Sequence, residues 1–263
     1  MTTIACSSLL YDAPLADALR AVRGLGFRHV DLGVLEGWAH VDPSALARDY
    51  DATASEVREQ IARHDVEVVA LNAGLGDEDR GARASATLRL AADLGADSVT
   101  FGAPPQDATI DEAVAWAAPI VTAARDHPTI ASCLEFHTLT FTEVVADCVT
   151  LVEATGLGLT FDVSHYYIGP AQGHGIEDLL PHVRHVHVRD CGRSIEQDQL
   201  PWGAGAVDLP AIVDDLLHGG YRGRFSVEYI GVPDFPGDME QSVLDAAAAL
   251  RFLLAGDIAR PGA

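Results

Sequence analysis

The sequence predicts an α/β fold, a single-domain (β/α)8 or TIM barrel, on three observations. Eight short apolar segments with strand-like alternation recur along its 263 residues. Their starts lie roughly 25–40 residues apart, which leaves room for a helix in every interval. One local grammar also repeats: a helical segment ends in glycine and an apolar strand follows. RGLGFRHVDLGV (23–34), ADLGADSVTFGA (92–103), EATGLGLTFDVSH (153–165) and HGGYRGRFSVEYI (218–230) all obey it. Glycine suits the position just past a helix because it enters the left-handed conformation without steric cost. Strict alternation of strand and helix implies a parallel sheet, and eight such units match the size of a closed barrel. An open doubly wound sheet is the alternative. It is disfavoured because no GxGxxG follows the first strand and no Walker motif is present.

Taken in order, strands are expected near 2–7, 29–34, 66–73, 98–103, 129–136, 158–163, 183–189 and 224–230. The first helix, in DAPLADALRAVRGLG, has Asp12 as a candidate N-cap and Pro14 in the first turn. Leu15, Leu19 and Val22 share one of its faces. ARASATLRLAADLG, EVVADCVTLVEATG and DLPAIVDDLLHGG keep the same period, and QSVLDAAAALRFLLAG closes the chain. No Pro/Gly/Ser-rich linker interrupts this order, so one domain is expected over residues 1–263.

Composition narrows the function. The formal net charge is -22, which repels phosphate backbones and makes nucleic acid a poor partner. All 17 basic residues are arginine, so lysine-dependent Schiff-base chemistry is excluded. No apolar run is long enough to span a membrane, and the first residues lack the pattern of a secretory signal. Cys6, Cys133, Cys148 and Cys191 show neither CxxC nor zinc-finger spacing, and read as reduced thiols of a cytoplasmic protein.

The chemistry lies in four strands. In HVHVRD (185–190), Val186 and Val188 are expected to face the helices, while His185, His187 and Arg189 face the barrel axis. By the same alternation Cys133, Glu135 and His137 point inward from CLEFH, Thr160 and Asp162 from LTFDV, and Ser226 and Glu228 from FSVEY. Four successive strands thus place an ionisable group inward near the C-terminal end, where barrel enzymes carry their sites. Burying three carboxylates together costs several kcal/mol each unless a cation joins them. Glu135, Asp162, His187 and Glu228 form a hard, mostly oxygen donor set. It suits Mn²⁺, Mg²⁺ or Co²⁺, with Zn²⁺ as a further candidate. His185 reads as a packed histidine deeper in the barrel. His64, His127, His174, His182 and His218 read as solvated or capping.

LEFH, FDVSH, HVHVRD, PWGAGAVDL and SVEYI, in that order and spacing, resemble the xylose-isomerase-like barrel superfamily over essentially the whole chain. That group holds sugar phosphate isomerases and epimerases, inosose dehydratases and endonuclease IV. The resemblance implies metal ligation by Glu135, Asp162, His187 and Glu228. It places His165 and Arg193 at positions that touch substrate oxygens in ketose 3-epimerases. His137 is a further candidate beside the substrate, and Trp202 either stacks on a sugar face or packs its loop. Relatives that pair as dimers or tetramers extend a homo-oligomer to this chain as an expectation.

Two departures matter. The second and third strands, VDLGV and VVALNAG, lack the inward histidines of a multi-zinc nuclease, and the site lysine of xylose isomerase is missing. The implied activity is a metal-dependent isomerase or epimerase, with enediolate proton transfer between Glu135, Glu228 and a small polyhydroxy ketone. The alternatives are a lyase on the same scaffold (an inosose-type dehydratase or a C–C bond-cleaving enzyme), a non-catalytic sugar-binding barrel and, remotely, an endonuclease IV-like nuclease. Glu36, Trp38 and Asn72 stand out in the loops and strands that set specificity. The amides of 201–208 lie where many barrels hold phosphate.

Overall fold

The computed structural model describes residues 3–258. Its strands are β1 (Ile4–Ser7), β2 (His29–Leu35), β3 (Glu67–Gly74), β4 (Ser98–Phe101), β5 (Ala131–Phe136), β6 (Gly158–Asp162), β7 (Val183–Val188) and β8 (Arg224–Val227). All pair in parallel, each with the next in sequence, and β8 closes on β1. The barrel expected from the alternation is therefore the observed architecture, and all eight strand positions agree. Residue 2 of the expected first strand lies outside the described residues.

The helices are α1 (Leu15–Gly24), α2 (Pro43–Arg48), α3 (Tyr50–His64), α4 (Arg80–Leu94), α5 (Ile110–Ala124), α6 (Val145–Thr155), α7 (Val163–Ile168), α8 (Leu209–His218) and α9 (Met239–Ile258). Asp12 does not cap α1. The helix starts after Pro14, whose carbonyl accepts from Asp17 and Ala18, with no side-chain cap. Gly95 and Gly156 end α4 and α6 at φ of 74° and 71°, the left-handed turn that the sequence grammar implies. The interval before β7 departs from the pattern: α7 is its one α-helix, and residues 169–179 run in turns. GPAQGHG has no helical period, and its glycines and proline break one. Among the described residues no helix is long and apolar enough to cross a membrane.

The apolar core is the annulus between strands and helices. Phe136, Phe161, Val186, Val188, Phe225 and Val227 pack there with α8 and α9. Leu32, Leu71, Val99, Phe101 and Leu134 pack with α2 to α6. Each fully buried phenylalanine contributes about 1.5–3 kcal/mol by leaving water. The barrel interior is the opposite. Ser7, Asp31, Thr100, Thr160, Asp162, His185, His187 and Ser226 are all buried there, and the Thr100 and Thr160 hydroxyls bond across it at 2.7 Å. Two register shifts set this alternation. β3 carries an extra residue at Val69 opposite the Val30–Asp31 step, and β7 carries one at Arg184 before His185.

Candidate metal centre

Glu135, Asp162, His187 and Glu228 converge at the C-terminal end of the barrel, each offering a ligand atom within 4.8 Å of the others. Three of the strands deliver them directly: Glu135 from β5, Asp162 from the last position of β6 and His187 from β7. Glu228 follows β8, and its backbone N–H donates to the Val188 carbonyl, which prolongs the ladder by one bond. His187 sits at the centre. Its Nδ1 lies 3.1 Å from Glu135 Oε1 and 3.1 Å from Glu228 Oε2.

The carboxylates of Asp162 and Glu228 are held from behind, and Glu135 is anchored through its main chain. Asp162 Oδ1 caps α7, accepting from the backbone N–H groups of Ser164 and His165 and from the Ser164 hydroxyl. Its Oδ2 faces Arg189 at 3.3 Å. Glu228 Oε1 accepts from Asn72 Nδ2 at 2.7 Å, which brings β3 into the site. The Glu135 carbonyl accepts the Thr142 hydroxyl at 2.6 Å.

Burial raises every carboxyl here, and the neighbours decide the outcome. For Asp162 it is outweighed by Arg189, His187 and the Ser164 hydrogen bond, which hold the carboxyl well below its usual range. For Glu135 the hydrogen bond from His187 and the nearby His137 prevail, and the group is lowered. Glu228 goes up: burial, with Glu135 and Asp162 close by, exceeds the pull of His187. For His187, burial alone would favour the neutral ring, but Glu228, Asp31 and Glu135 push it well above its usual value.

These residues fit a divalent cation. Asp31, Glu135, Asp162 and Glu228 are buried carboxylates, and Arg189 is the one guanidinium among them. The interior stays negative even with His187 protonated, so a cation held by three carboxylates and Nδ1 relieves a real electrostatic deficit. The donor set is oxygen-rich with one imidazole, as Mg²⁺ and Mn²⁺ prefer.

The other expected site residues divide. His165 is buried beside the cluster. Arg189 Nη2 donates to its Nε2 at 3.3 Å, so Nδ1 carries the hydrogen and donates to the Thr138 hydroxyl at 2.8 Å. Burial pushes its pKa down to about 3, and the ring is neutral. His137 lies against it, ring centroids 3.6 Å apart and the rings tilted by 36°. Arg193 is not brought in. It is exposed on the loop after β7, because the chain turns away at Asp190. Arg189 takes the inner position, donating to Asp162 and Glu228. Trp202 is half-buried against the annular core, and its backbone N–H donates to the Ser242 hydroxyl. His185 lies deeper, with Nε2 3.1 Å from Asp31 Oδ2 and 2.9 Å from Ser226 Oγ. Glu36 is tied to Arg83 at 2.8 Å, and Trp38 is exposed.

The amides of the loop after β7 are already engaged. Asp190 Oδ2 accepts from Gly203 and Gly205, and Oδ1 from Cys191 and Val207, at 2.8–3.3 Å. A Cβ at Gly205 would stand 2.1 Å from that carboxylate, so this close approach requires glycine. Asp31 is the buried polar group that the strand-by-strand reading passes over.

Solved structures share this architecture. A xylose isomerase-like TIM barrel protein from Mycobacterium smegmatis, in complex with magnesium, superposes with a TM-score of 0.79 at 21% identity over 98% of each chain. A 3-keto-D-glucoside 4-epimerase from E. coli, in its apo form, gives 0.68 at 16% identity over 96% of this chain and all of that one. A probable 3-DHS dehydratase from Bacillus anthracis gives 0.68 at 13% identity, covering 95% and 99%. Among curated proteins none matches the chain. Residues 19–254 match the family model described as xylose isomerase-like TIM barrel, and with the closed barrel around them they show that the chain belongs to that family.

Proposed function

We propose that this protein is a divalent-metal-dependent isomerase or epimerase that moves a proton at the carbon beside a carbonyl in a small polyhydroxy ketone. The observation that carries the reading is the convergence of Glu135, Asp162, His187 and Glu228 within 4.8 Å at the barrel mouth. A divalent cation bound there supplies Lewis-acid polarisation of a carbonyl and offsets the negative charge that develops next to it.

The chain's own residues then divide the proton transfer. Glu135 from β5 and Glu228 after β8 flank the site from two sides of the barrel mouth, one to accept the proton from carbon and the other to deliver one. Asn72 and Arg189 fix the two oxygens of Glu228. Return to the same carbon from the other face gives epimerisation, and return to its neighbour gives isomerisation. The solved epimerase on this fold supports the reading, as does the magnesium complex. Mn²⁺, Mg²⁺ or Co²⁺ is the cation the donors favour, with Zn²⁺ next.

The test is solvent exchange in D₂O with Mn²⁺ across a panel of ketoses and inososes. Deuterium is expected at the carbon beside the carbonyl of at least one of them, abolished by EDTA. No cation-dependent exchange on any member overturns the proposal. A dehydratase would share the proton abstraction but lose a hydroxyl. The dehydratase neighbour supports keeping that outcome in the assay, where it shows as enone absorbance.

A further inference from the structure

We propose that Asp31 is a positioning residue that fixes which ring nitrogen of His187 faces the cation site. The inference rests on the metal-dependent reading above. A neutral imidazole has one N–H and one lone pair, and only the lone pair can ligate a cation. His187 Nδ1 points at Glu135 and Glu228, and its Nε2 points the other way, 3.2 Å from Asp31 Oδ2. An ionised carboxylate only accepts hydrogen bonds, so Nε2 must hold the hydrogen. Nδ1 is thereby left as the ligand.

Asp31 is built for this task. It is completely buried on β2, and the same Oδ2 accepts from His185 Nε2 at 3.1 Å, while Oδ1 has no partner. Nε2 of both histidines approaches Oδ2, at 3.1 and 3.2 Å, the geometry of two N–H donors on one carboxylate. An asparagine in its place offers either an N–H or a carbonyl to Nε2 and so selects neither tautomer.

Asp31, His185 and His187 could instead be read as a second cation site, since their donor atoms also lie within 4.8 Å of one another. That would require His187 to ligate through both nitrogens and lose both ring hydrogens. The hydrogen-bonded arrangement demands nothing of the kind.

The test compares Mn²⁺ binding to the metal-free full chain and to Asp31→Asn by isothermal calorimetry. Asp31→Asn is expected to weaken Mn²⁺ about 10–100-fold, while circular dichroism of the metal-free protein is unchanged. Ser226→Ala, a change in the same buried layer that leaves the Asp31–His187 bond in place, should keep the affinity of the unmodified chain. A second readout does not depend on the variant folding. In the zinc-loaded unmodified chain, long-range ¹H–¹⁵N correlations should show His187 with Nε2 protonated and Nδ1 metal-bound.

Ligation through Nε2, unchanged Mn²⁺ affinity in a folded Asp31→Asn, or two ions per chain would each overturn the inference and leave the proposed function standing. An unmodified chain that binds no divalent cation overturns both.

Discussion

Two layers of the barrel interior use the same residue types and end in different states. In the lower layer Asp31, His185 and Ser226 meet within 3.1 Å, and Thr100 pairs with Thr160. His185 is neutral there, because burial lowers its pKa. In the upper layer Glu135, Asp162 and Glu228 share one imidazole and Arg189, and negative charge is left over. Buried polarity alone does not mark a ligand site, since hydrogen bonds engage most of the lower layer, with Asp31 Oδ1 the exception. An unbalanced charge among converging donors does mark one.

The largest effect expected from the contrast is on rate. Glu228→Gln keeps the shape and the bond from Asn72 but removes the carboxylate. It should lower Mn²⁺-dependent solvent exchange by about 10²–10⁴-fold, measured by NMR with the substrate that the panel identifies. Exchange within tenfold of the unmodified chain would put the acid–base role elsewhere.

Next is the competition between proton and cation at His187. Its pKa is raised in the folded, metal-free protein, so its protonation stabilises that state below about pH 6.5. That contribution is lost as pH rises through the raised value. A cation taking Nδ1 must displace the proton. The Mn²⁺ affinity should therefore climb by up to about tenfold per pH unit until His187 deprotonates on its own, then level off. Calorimetry in buffers of different protonation enthalpy reads both the slope and the released proton. A flat profile would mean that His187 is not a ligand.

The smallest effect belongs to the lower layer. Ser226→Ala removes one partner of His185 and should cost about 0.5–1.5 kcal/mol in urea unfolding. Solvent exchange by the folded enzyme should stay as it was. A loss of exchange would show that the layers are not separable.

Much of this was legible in the sequence, and the reason is periodicity. Period-two alternation on β5 to β8 put Phe136, Phe161 and Val186 outward and Glu135, Asp162 and His187 inward, as the structure has them. Asp31 was hidden for a different reason. VDLGV carries a single acid, and its partners lie 154 and 156 residues away across the barrel, joined only through two register shifts. The same alternation put Arg189 inward, as the structure has it, whereas Arg193 lies beyond the strand, where alternation says nothing. What separates them is the turn at Asp190, which leaves one on the inner face and the other on the surface. Asp162 starts α7 immediately after its strand, and Gly169 with Pro170 ends it after six residues, in place of a full helix.

The carboxylate of Asp190 has a consequence of its own. It already fills the cradle of main-chain donors made by Cys191, Gly203, Gly205 and Val207. A phosphate ester arriving at that rim would first have to evict an anion held by four donors, each such bond worth about 1.5–3 kcal/mol. An uncharged hydroxyl tail therefore meets that rim on better terms than an esterified one.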